Sequence, residues 1–190
     1  DAEISKIVAM WRSDLDQITG KMVLFSRGVI KGKHYIELVK TDHLGVNETE
    51  DQAYRLTVTP NYIRMEATTN TGIFYATQSL KQLYRYSFLQ NKGEIIIPCM
   101  TITDWPNFKI RAWQDDISRG PIVSMDYLKR IIPQLAECKL NAFSLYTEHT
   151  FKTKCHPDIA PSDAFTAEEI KELEDFCRPY HIQIIGNQQY

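Results

Sequence analysis

The sequence predicts a small α+β domain followed by the beginning of a parallel α/β arrangement. Up to about residue 103, apolar residues at helical spacing alternate irregularly with short runs rich in β-branched and aromatic residues. Beyond residue 104 the pattern becomes strand, helix, strand, helix, strand, which is the repeat of a parallel sheet. The segment Asp104-Trp-Pro106 separates the two patterns. We therefore predict two domains, residues 1–103 and residues 104–190.

Two helices and one sheet are predicted in the first domain. Apolar spacing predicts a helix over 3–19 that ends at Gly20, and a second helix that opens at Asn70 and continues through 73–86. Five segments have the composition of strands: 22–25, 34–39, 54–59, 62–67 and 94–97. Pro60-Asn61 predicts that the third and fourth of these strands form a hairpin. We expect one sheet covered by two helices on one face, with no catalytic group.

The second domain is predicted to contain three strands and two helices. The strands fall at 110–116, 141–146 and 182–185. Ser124 is placed to cap the first helix, which continues to Cys138 and is expected to kink at Pro133. Thr166-Ala-Glu-Glu169 is a capping box that begins the second helix.

Composition excludes several classes of function. The 190 residues carry a formal net charge of −2 without a basic block, so a nucleic acid partner is not expected. No apolar run approaches the length of a membrane-spanning helix. Cysteine and histidine spacings match no metal site, so we expect neither a metal nor another cofactor. Cys138 and Cys177 lie on apolar helix faces and are expected to be buried free thiols. The compartment stays open, with a periplasmic or secreted location favoured, and oligomeric state is undetermined.

Polar side chains follow all three strands of the predicted parallel sheet. Ligands of parallel α/β proteins bind at the carboxyl ends of the strands, so these side chains are candidates for binding. In chain order they are Asp115, Asp116 and Arg119, then Glu148 and His149, then Asn187, Gln188 and Gln189. Arg111 lies near the start of the first strand.

Four sequence pieces occur in an order that suggests a known family. They are the run from Gly72 to Leu83, the run from Ile102 to Phe108, Arg111 with Asp116 and Arg119, and Lys139-Leu-Asn141. Together they resemble the family 20 glycoside hydrolases of the β-N-acetylhexosaminidase type, across roughly the whole chain. The resemblance implies an α+β domain preceding a (β/α)8 barrel, of which this chain would hold about three βα units.

The resemblance also implies a reaction. The intact protein would remove terminal N-acetylhexosamine from a glycan substrate by retaining, substrate-assisted hydrolysis, in which the acetamido oxygen attacks the anomeric carbon. In this family an aspartate orients the acetamido group and an adjacent glutamate protonates the leaving oxygen, both after the fourth barrel strand. We therefore expect no catalytic residue in these 190 residues and no activity from the isolated chain.

Three residues are candidates for substrate binding. Arg111 matches the family arginine that donates to hydroxyls of the terminal sugar, a task that suits a rigid fork of charged donors. Its other interpretation is an ion pair with Asp115 or Asp116 that closes the bottom of the barrel. Glu148 and His149 fall where the family usually has two aspartates, and residues 186–189 also depart from the family pattern. Glu148 and His149 are predicted either to contact the sugar or to anchor their loop. Asp116 and Arg119 are expected to form a structural salt bridge.

Three parallel strands cannot close a barrel. The barrel could be completed by more of the same chain or by a second copy, and we expect more chain to follow in the natural protein. The rival functions are a non-catalytic carbohydrate-binding or scaffolding module, and a sister hydrolase with the same barrel and another sugar.

Overall fold

The computed structural model describes residues 2–20, 34–46 and 49–189. The chain divides into two compact units between Lys109 and Ile110. The predicted boundary between a domain of residues 1–103 and a domain of residues 104–190 stays a prediction. The predicted strand at 22–25 lies outside the described residues.

The first unit contains a four-stranded mixed sheet. Its strands are β1 (Tyr35–Lys40), β2 (Tyr54–Val58), β3 (Tyr62–Ala67) and β4 (Met100–Asp104), in the order β1-β3-β2-β4. Strands β2 and β3 pair antiparallel, which confirms the predicted hairpin, and β1 joins β3 in parallel. Strand β4 pairs antiparallel with β2.

Two helices complete the first unit. Helix α1 (Ala2–Thr19) buries Ile7, Trp11 and Leu15, and packs against helix α2 (Asn70–Gln90), which in turn packs on β2 and β3. The side chain of Thr69 caps α2 by accepting from the backbone N–H of Gly72 at 3.1 Å. A Cβ atom at Gly72 would lie 2.3 Å from the carbonyl oxygen of Ala53, so only glycine allows this close approach. The predicted α+β class is confirmed.

The strand predicted at residues 94–97 is wrong. This segment is a loop, and the last strand of the sheet begins at Met100. The hydroxyl of Ser87 accepts from the backbone N–H of Ile96 at 2.6 Å and donates to the carbonyl oxygen of the same residue at 2.9 Å. A side chain of α2 thus satisfies both backbone groups that a strand would have paired, and the Ile96 side chain points to solvent.

The second unit is a parallel βαβαβ arrangement. Its elements are β5 (Ala112–Asp116), α3 (Met125–Glu137), β6 (Ala142–Thr147), α4 (Ala167–Cys177) and β7 (Gln183–Gln188). The strands pair in parallel, as predicted, and their order is β5-β6-β7. Two 3-10 turns of this unit lie at Pro157–Ile159 and Arg178–Tyr180, and another lies in the first unit at Glu50–Gln52. Three strands do not close a ring, so the barrel stays a prediction.

Both predicted helix starts of the second unit are confirmed. Ser124 caps α3 by accepting from the backbone N–H of Tyr127 at 3.2 Å, and Pro133 lies within this helix. Thr166 and Glu169 form the predicted capping box, because each side chain accepts from the other's backbone N–H. The two helices bury Leu128, Ile132 and Ala136 on α3, and Leu173 and Cys177 on α4.

Candidate functional site

Five polar side chains meet at the carboxyl ends of the second sheet. We call them the strand-end cluster: Asp116, Arg119, Tyr146, Glu148 and Gln189. Arg119 joins two carboxylates in this cluster. Its Nε atom lies 3.4 Å from Oδ2 of Asp116, and its Nη2 atom lies 3.6 Å from Oε1 of Glu148. The salt bridge predicted between Asp116 and Arg119 is confirmed, whereas the contact with Glu148 was not foreseen.

The Asp116 carboxylate is held in its ionised form. Its Oδ1 atom accepts from the hydroxyl of Ser118 at 2.7 Å and from the backbone N–H of Ser118 at 3.0 Å. These two hydrogen bonds lower the pKa of Asp116 more than partial burial raises it, and the charge of Arg119 lowers it further. Asp116 is therefore suited to hold Arg119 and unsuited to donate a proton.

Tyr146 is the member of the cluster that sequence reasoning missed. Its hydroxyl donates to Oε1 of Glu148 at 3.2 Å and also contacts the side-chain amide of Gln189. Partial burial raises the pKa of Tyr146, the hydrogen bond and charge of Glu148 raise it further, and Arg119 opposes them. A phenol has one hydrogen, so Oε1 of Glu148 and Oε1 of Gln189 are alternative acceptors for the Tyr146 hydroxyl.

Side-chain alternation was the signal that could have identified Tyr146. The register of the parallel strands aligns Gln114 with Ser144, and Asp116 with Tyr146 and Asn187. These five residues share one face of the sheet, because neighbouring partners in a parallel sheet point the same way. The Nδ2 atom of Asn187 donates to Oε1 of Gln114 at 3.4 Å across this face. One face of the sheet is thus unusually polar for a parallel arrangement.

The main chain after β6 is tied to β7. The side-chain amide of Gln188 donates to the carbonyl oxygen of Glu148 at 2.8 Å. The hydroxyl of Thr147 lies 3.2 Å from Oε1 of the same glutamine. Glu148 is therefore fixed through both its backbone and its carboxylate.

His149 follows Glu148 and has an exposed side chain. Its ring forms no hydrogen bond or ion pair with any residue in 2–20, 34–46 or 49–189. Both ring nitrogens are therefore open to a ligand beside Glu148, and the loop-anchoring alternative has no contact of this ring to support it.

Arg111 lies at the opposite, amino-terminal end of the strands, directly before β5. Its backbone N–H donates to Oδ1 of Asn141 at 2.7 Å, and its Nε atom donates to the carbonyl oxygen of Lys139 at 2.8 Å. Asp116 lies five residues further along the strand, which is about 17 Å at roughly 3.3 Å per residue. Glu148 and His149 are thus adjacent residues after β6, whereas Arg111 lies before β5 at the other end of the strands. The role of Arg111 in sugar binding stays a prediction.

The His, Cys, Asp and Glu side chains of the described residues bear on metal and thiol chemistry. Within the described residues, no group of three or more His, Cys, Asp or Glu side chains could hold a metal ion. All four cysteines are free thiols. Cys177 is buried, and burial raises its pKa to about 12. The predicted burial of Cys138 is wrong: it is exposed because it caps α3 and lies beyond the helix's buried face.

No helix in the described part of the chain combines the length and the apolar character that crossing a membrane requires.

Comparison with known sequences identifies a related domain. The sequence profile of "Glycosyl hydrolase family 20, domain 2" matches residues 13–105. The chain is 36% identical over 101 residues to a β-hexosaminidase of Vibrio furnissii, which corresponds to 53% of this chain and 16% of that protein.

Comparison with solved structures extends the similarity to nearly the whole chain. The Flavobacterium johnsoniae chitobiase superposes with a TM-score of 0.76 at 26% identity, over 98% of this chain and 29% of that one. A Streptomyces plicatus β-hexosaminidase mutant in complex with its product GlcNAc gives a TM-score of 0.82 at 21% identity, over 98% of this chain and 39% of that one. The chain thus spans well under half the length of these relatives.

Proposed function

We propose that this chain belongs to glycosyl hydrolase family 20 and that the whole protein is a β-N-acetylhexosaminidase-like glycoside hydrolase. Its substrate would be a glycan with a terminal N-acetylhexosamine. The support is the family match over residues 13–105 together with the similarity of 98% of the chain to the F. johnsoniae chitobiase. The single structural observation that carries the proposal is the strand-end cluster, which gathers hydrogen-bonding groups where parallel α/β proteins bind ligands.

We propose that β5, β6 and β7 are the first three strands of a (β/α)8 barrel. Both outer strands of the sheet, β5 and β7, lack a second partner among the described residues. An open strand edge is a liability that proteins normally cover or pair. A ring of eight strands would satisfy both edges, with the polar face of Gln114, Asp116, Ser144, Tyr146 and Asn187 turned to its interior.

The catalytic Asp-Glu pair is proposed to lie outside these 190 residues. No Asp-Glu dipeptide occurs in the sequence, and its adjacent acidic pairs are Glu50-Asp51, Asp115-Asp116, Glu168-Glu169 and Glu174-Asp175. None of them combines an aspartate that could orient the acetamido group with a glutamate directly after it that could protonate the leaving oxygen.

The proposed mechanism needs no enzyme nucleophile. The acetamido oxygen of the substrate forms a bond to the anomeric carbon as the glycosidic bond breaks, and water later hydrolyses that intermediate with net retention. Within this chain, the Glu148 carboxylate would accept a hydrogen bond from a sugar hydroxyl and the exposed His149 ring would donate to the same sugar. From the family resemblance alone, Arg111 would donate to hydroxyls of the terminal sugar; its place at the other end of the strands gives this role no support from the strand-end cluster.

The whole protein should hydrolyse 4-nitrophenyl N-acetyl-β-D-glucosaminide. The matched control is 4-nitrophenyl β-D-glucoside, which lacks the acetamido group and should not be turned over. Proton NMR of the first-formed sugar should reveal the β-anomer, as retention requires. The 190-residue chain alone should release no 4-nitrophenol. Equal turnover of both substrates, or turnover of neither, would exclude the proposed reaction.

Arg111 can be tested in the same assay. Replacing Arg111 with Ala should raise KM about 10-fold or more, because a hydrogen bond from a charged donor to the sugar is lost. If KM and kcat stay unchanged while the variant folds, Arg111 does not contact the sugar and its bond to Lys139 is its function.

A non-catalytic carbohydrate-binding module is the second candidate. The departures from the family pattern at Glu148, His149 and residues 186–189 favour it. Calorimetry with N-acetylglucosamine oligomers separates the two candidates, since binding without turnover by the whole protein would support the module.

A further inference from the structure

We propose that Tyr146 and Arg119 are positioning residues that orient the Glu148 carboxylate to accept a hydrogen bond from a hydroxyl group of the bound sugar. This inference rests on the proposed function and assigns a role to two residues that the family resemblance leaves without one. It is based on the contacts of the Glu148 carboxylate, in which both described protein partners approach the same oxygen, Oε1.

The contacts of Glu148 use only one of its carboxylate oxygens. Both the Tyr146 hydroxyl, at 3.2 Å, and the Arg119 guanidinium, at 3.6 Å, approach Oε1. Oε2 forms no hydrogen bond with the residues that the structure describes, and the side chain keeps 35% of its surface exposed. An ionised carboxylate accepts about four hydrogen bonds, so Oε2 has acceptor capacity for a ligand.

The arrangement contributes little to folding stability. The Arg119 side chain is 73% exposed, and ion pairs at such positions contribute roughly 0–1 kcal/mol. Their effect is instead on geometry, since a guanidinium held between Asp116 and Glu148 fixes where each carboxylate points. Asp116 is itself locked by Ser118, so Arg119 is anchored on the side away from Glu148.

Tyr146 fixes the same carboxylate from a strand. It lies in β6, with its backbone held by β5 and β7, whereas Glu148 lies just beyond the end of β6. A rigid phenol on a central strand can hold a neighbouring carboxylate more closely than another loop residue could. Gln188 holds the main chain of Glu148 at the same time, at 2.8 Å. Together these contacts leave Oε2 as the carboxylate atom of Glu148 with acceptor capacity for a ligand.

The experiment uses the whole protein and 4-nitrophenyl N-acetyl-β-D-glucosaminide. Tyr146→Phe and Arg119→Gln should each raise KM about 2- to 10-fold, the range expected when a well-oriented hydrogen bond is weakened, with a smaller change in kcat. Arg119→Lys should recover part of the loss. Tyr127→Phe and Arg130→Gln are the matched controls, because both residues lie on α3 of the same unit and neither contacts the cluster.

A double-mutant cycle separates positioning from a general structural role. In a Glu148→Gln background, Tyr146→Phe should change KM less than it does in the wild type, because both substitutions weaken the same interaction. Independent, multiplicative effects would overturn the proposal. So would wild-type KM values for both Tyr146→Phe and Arg119→Gln in an active enzyme, and the proposed hydrolase function would then remain intact.

A titration of Tyr146 tests the contacts without an assay of activity. With ¹³Cζ-labelled tyrosine, assigned by Tyr146→Phe, Glu148→Gln should lower the pKa of Tyr146 and Arg119→Gln should raise it. An unchanged pKa in both variants would overturn the proposal by itself. If the titration behaves as expected but wild-type protein neither hydrolyses nor binds N-acetylhexosaminides, the proposed function fails and the sugar-binding role of Glu148 fails with it.

Discussion

The backbone N–H of Arg111 donates to the side-chain oxygen of Asn141 at 2.7 Å, and the backbone N–H of Asn141 donates back to the carbonyl oxygen of Arg111 at 3.0 Å. This reciprocal pair joins the residues that immediately precede β5 and β6. It fixes the register of β5 and β6 at their amino-terminal ends. This register aligns Asp116 with Tyr146 at the carboxyl ends of the same strands. Asn141, the last residue of the Lys139-Leu-Asn141 piece, therefore stabilises the strand register on which the strand-end cluster depends.

Replacing Asn141 with Ala should destabilise the second unit by about 1–3 kcal/mol, because the N–H of Arg111 loses its partner. Hydrogen exchange of peptides from β5 and β6, followed by mass spectrometry, should reveal the loss of protection. Asn141→Asp keeps an acceptor oxygen and is the control. Equal protection in Asn141→Ala and the wild type would contradict the structural role.

The Tyr54 hydroxyl lies in the first unit between two partners, Oδ2 of Asp104 at 2.8 Å and Oγ of Ser79 at 2.5 Å. Tyr54→Phe should lower the free energy of unfolding of this unit by about 1–2 kcal/mol, since the buried Ser79 and the half-buried Asp104 both lose a hydrogen-bond partner. Urea denaturation followed by the fluorescence of the buried Trp11 measures the change. Tyr62→Phe is the matched control on the same sheet, and a similar loss in both variants would contradict a specific contribution of the two hydrogen bonds of Tyr54.

The capping box of α4 should make helix stability depend on acid pH. The backbone N–H and hydroxyl of Thr166 lower the pKa of Glu169 below its ordinary value of 4.5. Because the folded-state pKa lies below the unfolded one, this stabilisation is present above about pH 4.5 and is lost as pH falls through the folded-state value. Thr166→Ala should cost about 1 kcal/mol at pH 7 and less at pH 3.

Circular dichroism during urea denaturation at both pH values measures this difference. Glu168→Gln is the control, since the neighbouring acid lies outside the box and should have a smaller effect. A cost of Thr166→Ala that is equal at pH 3 and pH 7 would contradict the assigned role of Glu169.

The four thiols should differ in reactivity. Burial raises the pKa of Cys177 to about 12, so almost none of it is thiolate at pH 8, whereas Cys99, Cys138 and Cys155 are exposed. Alkylation at pH 8 and peptide mass spectrometry should find Cys177 unmodified in the folded chain and modified after denaturation. The three exposed thiols serve as internal controls. Modification of Cys177 at their rate would show that α4 opens readily.

The sequence predicted the elements that depend on local rules. Apolar spacing identified the helices, Thr166 and Glu169 identified the start of α4, and Pro60-Asn61 identified the hairpin. These signals act over a few residues, so one sequence contains them completely. The loop at 94–97 was mispredicted because a single hydroxyl, that of Ser87 on α2, replaced the partner strand that its composition favours.

The arrangement of the site required tertiary structure. The residue types after each strand were visible in the sequence, and so was their placement at the carboxyl ends. Sequence alone did not reveal that Arg119 forms ion pairs with both Asp116 and Glu148, or that Tyr146 donates to Glu148. It also did not reveal that Arg111 lies at the amino-terminal ends of the strands, where it donates to Lys139. Arg119 and Glu148 are 29 positions apart and Arg111 and Lys139 are 28 positions apart, so these contacts follow from how β5 and β6 align in space. Local chemistry determined which groups this protein offers, and the pairing of distant strands decided which of them meet.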